Sequence, residues 1–419
     1  MLTAKRTSIR RRLAIRRAAN GPPWRRRKSG HAHIVAPLFA GVAVTAATTA
    51  AVRAGVAVAV AERARRAARA QREGERRFAL RADETPDQGL RRMALAQLDL
   101  AVEMLAMENG AVSPSEAIHE VRKALKRLRA LLSLVSDQLG EEAVTRDRAV
   151  LRRVARRLAG SRDAEVMVGT LDDLVRRHPE LAQRPAVGRL RQQVAAERDR
   201  AGQPAAESGP ARTLSLSDLH LLRARVGQWH LQPAPGIAPL QPAVRRVYRR
   251  GARRYARAQA GGGDRAAAMH RWRKRVKELR YVAEALNRYQ PPPRWPAAVS
   301  DVLPGVKRRR TKQPRSATFM RRLARRADTL SELLGEEHDL VVLEARVRAE
   351  LRGGRDGDKT LLKLIAKRRK RLRREALRRG KRLYRRSPRK LLRRMRTAYA
   401  SQAAAAHAPP GAAFPGRTA

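Results

Sequence analysis

The sequence predicts an all-α protein built around an internal duplication, and three observations lead there. Apolar residues, 43% of the 419 and mostly Ala, Leu and Val, recur at helical spacing, and no long run of alternating β-branched residues marks a strand. The pattern H-x-x-R-K-x-x-K-x-L-R occurs at His119–Arg129 and again 151 residues later at His270–Arg280. A second matching element follows each copy, Leu158–Val166 and Leu334–Val342, so the repeat is a helical subdomain.

A helix turns about 100° per residue, so with His119 at 0° the side chains of Arg122, Lys123, Lys126 and Arg129 fall between about −80° and +40°. Ile118, Val121, Leu125, Leu128, Leu132 and Val135 gather on the opposite side, the apolar face that a packed helix needs. The second copy divides the same way, with His270, Arg273, Lys274, Lys277 and Arg280 against Met269, Trp272, Val276 and Leu279. Neither motif places an acid within its stripe, so the positive charges repel one another unless an anion lies against them.

From the N-terminus, residues 1–32 carry eleven Lys or Arg and no acid, a basic arm too polar to fold alone. Ile34 to Val52 is free of charge and could just span a bilayer by its nineteen residues. Seven of these are Ala, and Pro37 and Gly41 interrupt, which favours an Ala-rich extension over a membrane anchor. A charged helix is expected from about Glu62 to Phe78, completing an extension over residues 1–80. Thr85-Pro86 then starts a helix from about Asp87 to Met107, with Leu90, Met93, Ala94, Leu98, Ala101 and Leu105 as its buried side. Ser113-Pro114 opens the first motif helix, running to Leu139, and helix follows from Glu142 to Arg177 with a break near Gly160. Residues 201–213 read as the linker between a first half at about 84–200 and a second at about 214–398. The second half offers helices near Leu216–Trp229 and Pro242–Gln259, a hinge at Gly261-Gly262-Gly263 and the second motif helix from Arg265 to Tyr289. A basic, Pro-rich insertion at 291–317, a helix from Thr318 to Leu351, a very basic region from Thr360 to Tyr399 and a disordered tail at 401–419 complete the chain.

With 95 Lys and Arg against 38 Asp and Glu, the formal charge of +57 exceeds what solubility requires and implies a polyanionic partner. Nucleic acid, inorganic polyphosphate and an anionic membrane all qualify by charge. The absence of cysteine excludes disulfides, thiolate catalysis and cysteine zinc sites. Aromatic residues at 3% argue against a binder that stacks bases.

The paired motif helices in this order, with Leu334-Gly335-Glu336-Glu337-His338-Asp339-Leu340 downstream, resemble the CHAD domain, a family named for conserved histidines and a helical fold. The resemblance covers roughly residues 84–398. It implies two four-helix bundles related by a pseudo-twofold, with a basic central groove or pore that binds inorganic polyphosphate. The N-terminal extension, the insertion at 291–317 and Arg162 standing where the second copy has His338 depart from the pattern.

On that reading Arg122, Arg129, Arg273 and Arg280 contact phosphate oxygens bidentately, and Lys123, Lys126, Lys274 and Lys277 serve as mobile point charges. His119, His270 and His338 donate to phosphate, more strongly when protonated. Arg153 and Arg156, with Arg152 and Arg157, either extend the groove or form a solvated face. Asp163 and Asp339 are expected to hold motif cations in place. Consecutive residues point around a helix, so Glu336 to Asp339 are not read as a metal site. No cofactor, metal or catalytic residue is implied. The expected function is non-enzymatic polyphosphate binding in the cytoplasm, at polyphosphate granules. Nucleoid binding through general charge is the alternative, and a triphosphate or polyphosphate hydrolase is a second. Against the hydrolase, the sequence has no nucleophile–base pair and no E-x-E-x-K signature of the triphosphate-tunnel domain to which such domains are sometimes fused.

Overall fold

Local chemistry sets each helix boundary in the computed structural model, which describes residues 77–81, 84–107, 113–158, 160–201, 209–234, 236–287, 317–352 and 359–406. These all belong to one compact unit, Ala70–Ala419. The segment 34–52, the expected helix before Phe78 and nearly all of the insertion lie outside the described residues. The described chain is helical, with no strand.

Helix α1 (Pro86–Ala106) starts at Thr85, whose amide donates to Gln88 Oε1 at 3.2 Å. The first motif helix, α2 (Pro114–Leu139), is capped by Ser113, whose Oγ accepts from the Glu116 amide at 3.3 Å. Gly140, at φ +80°, turns the chain into α3 (Glu141–Arg157), which ends at its C-cap Leu158, and α4 covers Gly160–Arg177. A 3-10 turn at Pro179–Gln183 leads to α5 (Pro185–Ala201), which periodicity did not single out. Helix α6 (Pro210–Gly227) begins inside the stretch read as a linker, because Pro210 needs no amide partner in a first turn.

A second 3-10 turn (Ala238–Leu240) precedes α7 (Gln241–Ala260). The second motif helix, α8 (Arg265–Ala285), is capped by Asp264, whose carboxylate accepts from the Ala267 amide at 3.0 Å, and ends four residues before the expected Tyr289. Helix α9 (Ala317–Arg352) runs unbroken through the Leu334 element, whereas the Leu158–Val166 element of similar sequence falls across the end of α3 and the start of α4. The basic region forms α10 (Lys359–Leu383) and α11 (Pro388–Ala406). The expected tail is therefore helical as far as Ala406, since its run of Ala has the highest helix propensity.

Helices α1, α2, α3 and α6 pack in one closed ring, and α7, α8, α9 and α11 in another, with α2 lying on both α7 and α8. One core joins the rings, and Leu90, Val121, Leu131, Trp272, Val276 and Leu279 are wholly buried in it. Each fully buried leucine there contributes about 1.5–3 kcal/mol. A second core unites α4 and α5 with the C-terminal half of α9 and the start of α10, through Leu171, Leu181, Val194, Leu343 and Ile365. The composition boundary at 201–213 consequently does not separate the packing units: α6 belongs with α1 and α3, and α4 and α5 meet α9 and α10.

Candidate functional site

The two motif helices cross at their C-terminal halves. Ser133 Oγ donates to Glu278 Oε1 at 2.9 Å, and Arg127 lies in the field of Glu284. Six residues toward the N-terminus of α2 thus match six toward the C-terminus of α8, so the helices run antiparallel. On the helical wheel Ala130 and Ser133 fall at about +20° and −40°, on the same face as the motif cations. Both are buried, at 1% and 5% exposure, whereas His119 is exposed and Arg122, Lys123 and Lys126 are half-buried. The cationic stripe and the α2–α8 contact therefore share one side of α2. In α8, Tyr281 and Glu284 occupy the same angles beyond Lys277 and Arg280, and Tyr281 is buried at 6% exposure. The stripes leave the crossing in opposite directions, and from His119 to His270 they cover about 33 Å of helical rise.

Several motif cations are anchored to neighbouring protein groups. Arg122 Nη1 donates to the Leu158 carbonyl at 2.8 Å and Arg129 Nη2 to the Leu151 carbonyl at 2.9 Å, which ties α2 to the C-terminal end of α3. Burial, with Arg152 and Arg122 alongside, pulls the Arg129 guanidinium below its usual range. Lys123 Nζ is held by the Glu120 carboxylate at 3.0 Å. Arg280 meets Glu284 at 2.6 Å and also Asp328 of α9, and these hydrogen bonds and charges hold its pKa up despite burial. Arg127, outside the stripe pattern, reaches Gln97 Oε1 at 3.2 Å and covers the Phe78 ring.

Glu278, unremarked in the sequence, collects Ser133 together with Arg250 Nη2 at 2.9 Å and Arg275 Nη1 at 2.6 Å. Arg148 of α3 adds a bond to Ser133 Oγ at 3.0 Å. The signal that could have found part of this network was a helical wheel extended past the eleven-residue motif, which places Ser133 and Glu284 on the cationic side.

At the α8 end, the His270 and His338 rings lie 4.3 Å apart at 36°. His270 is pushed down to about 4 by burial first and then by His338, Lys274, Arg273 and Lys277, so at neutral pH its ring is uncharged within a positive field. Arg273 lies against α9 at Gly335, where a Cβ would sit 3.4 Å from Arg273 Nη2. Lys274 is exposed and forms no ion pair among the described residues.

Away from the stripes, Arg153 is bound by Asp218 of α6 at 2.7 Å, and Arg157 shares that carboxylate at 2.6 Å. Arg156 and Arg152 are exposed on the same helix. Asp339 is half-buried, and the side chain of Asp163 lies outside the described residues. Glu336 and Glu337 face α10, where they accept from Arg368 at 2.7 Å and from Arg373 at 2.8 Å. They turn away from His338, and among the described residues no group of three or more His, Asp or Glu is placed to hold a metal ion. Among the described helices none is long and apolar enough to cross a membrane.

A helical protein with two like-charged helices crossing at a buried polar junction defines the class. The chain belongs to the CHAD-domain family: the family model matches residues 96–303, a stretch that includes both motif helices and stops short of Leu334. The chain is also similar to the crystal structure of the CHAD domain from the plant Ricinus communis, at 17% identity, with 77% of this chain and 94% of that chain covered and a TM-score of 0.42. No curated protein matches it.

Proposed function

We propose that this chain binds inorganic polyphosphate along the stripes of α2 and α8 without hydrolysing it, in the cytoplasm and at polyphosphate granules. The observation that carries this reading is the shared face: the cations lie on the side of each helix that also forms the α2–α8 junction, so both stripes open from one place between the rings. A flexible chain with a negative charge on every phosphate and no base to read suits such a track.

His119, Lys126, Arg273, Lys274 and Lys277 supply the charge that meets phosphate, with His338 beside His270 at one end. Arg122, Arg129 and Arg280, bonded to carbonyls or carboxylates of neighbouring residues, also keep the helices in register. The lowered pKa of His270 supports this division, because its charged neighbours hold the end of the track positive.

The test mixes pure protein with long-chain polyphosphate and Mg²⁺ or Mn²⁺, then measures bound polymer and released orthophosphate. Retention of intact polymer that duplex DNA at equal charge does not displace is expected. Steady release of orthophosphate would make the protein a hydrolase instead.

A further inference from the structure

We infer that the solvent face of α7 and α11 is a second polyanion site, for double-stranded nucleic acid, separate from the stripes on α2 and α8. Arg245, Arg249, Arg253 and Arg257 are all exposed and recur every four residues along α7. Each step rises about 6 Å and turns about 40°, so the four stay on the outward side. Their inward neighbours are neutralised, Arg246 by Asp137 at 2.6 Å and Arg250 by Glu278 at 2.9 Å. No acid occurs in α7 itself.

Helix α11 packs beside α7 and buries Leu391 and Met395, which leaves Arg389 and Arg393 pointing outward and exposed. No Asp or Glu follows Glu375 in the sequence. The buried Tyr248 hydroxyl of α7 donates to the Leu383 carbonyl at 3.1 Å and the Arg386 carbonyl at 2.9 Å, fixing the turn before α11 against α7. In that turn Arg386 is lowered by burial first and then by Arg394, Arg385 and Arg326, as expected where guanidinium groups crowd together.

The chemistry of the face selects among polyanions. The exposed large hydrophobic residues are Met107, Leu214, Leu221 and Val342, none of them on α7 or α11, so among the described residues nothing there inserts into a bilayer. Tyr255 packs on Trp272 and Tyr384, and Tyr399 is buried, so among the described residues of this face no ring stands ready to stack on single-stranded bases. What remains is an outward, two-helix array of guanidinium groups. It meets the phosphates of a stiff duplex by bidentate, sequence-independent contacts and leaves the stripes to a different polymer.

The test measures anisotropy of a labelled DNA duplex with the full chain, the triple variant Arg249→Glu/Arg253→Glu/Arg393→Glu, and Lys126→Glu/Lys277→Glu. The triple variant is expected to lose duplex affinity by about 100-fold and to reduce the slope of log K against log salt by about 3. Its thermal melt and its polyphosphate binding, read separately, should match wild type, and the stripe variant should keep its duplex affinity. The inference is overturned if the triple variant binds duplex as wild type does, if the stripe variant loses as much, or if the wild type binds anionic vesicles but not duplex. Because polyphosphate binding is read separately, a stripe variant that still holds polyphosphate contradicts the proposed function and leaves this face untouched.

Discussion

Ser133 and Glu278 stand 145 residues apart in the chain and share a 2.9 Å hydrogen bond at the crossing of the two motif helices. Glu278, with only 12% of its side chain exposed, also receives Arg250 and Arg275, so one carboxylate holds α2, α7 and α8 together. Glu278→Ala leaves Arg250, Arg275 and Arg148 facing one another without their shared carboxylate. A loss of about 3 kcal/mol is expected from the urea midpoint. A change below about 0.5 kcal/mol would mean that solvent screens the junction.

The histidine end responds to pH with a definite sign. The folded pKa of His270, about 4, lies below the ordinary value of 6.5, so the neutral ring's contribution is full above pH 6.5 and is lost as pH falls toward 4. A bound polyanion favours the imidazolium and raises that pKa. Polyphosphate should therefore bind more tightly as pH falls through this window, with proton uptake visible by calorimetry in buffers of different ionisation heat. His270→Gln should remove most of the uptake, and equal uptake in the variant would place the titration elsewhere.

Gly380 is where α10 approaches the aromatic cluster of the second ring. A Cβ there would sit 2.6 Å from Trp272 Cζ2 and 2.7 Å from Tyr255, and Trp272 has no freedom to move because it is wholly buried. Gly380→Ala should cost about 1–3 kcal/mol by overpacking, despite the helix propensity that alanine adds. A variant with a raised melting temperature would show that the rings can shift.

Glu337 is 1% exposed and neutralises Arg369 and Arg373 of α10. Glu337→Ala strands the Arg373 guanidinium against α9 and leaves Arg369 with Glu344 alone. It should destabilise by about 3–5 kcal/mol and speed amide exchange in α10 ahead of α1. Uniform exchange across all helices would indicate that α10 is not held locally.

Much of the fold could be read from residues alone, because caps and apolar periodicity are local. Thr85 and Ser113 sit where the helices begin, and Trp272, placed on the apolar face, is wholly buried. Packing between distant segments was not readable. Pro210 looked like part of a linker because its role as a helix start depends on α1 and α3 waiting to receive α6. The site divided in the same way. Wheel angles gave the stripes, but apart from Glu120 at Lys123 the acids that meet the expected cations, Glu284 and Asp328 at Arg280 and Asp218 at Arg153, come from outside the motif or from other helices. A charge that looks solitary in one helix is commonly answered across a junction, and only the three-dimensional arrangement supplies the partner.

The account rests on the stripes as one defined track, and a paired charge reversal tests it most directly. Polyphosphate affinity would be measured at physiological salt for wild type, for Lys126→Glu/Lys277→Glu, and for Lys367→Glu/Lys370→Glu on the exposed face of α10. The stripe variant should lose about 100-fold and the control less than about 3-fold. Equal losses in the two variants would contradict a defined track and reduce the binding to the net charge of the chain.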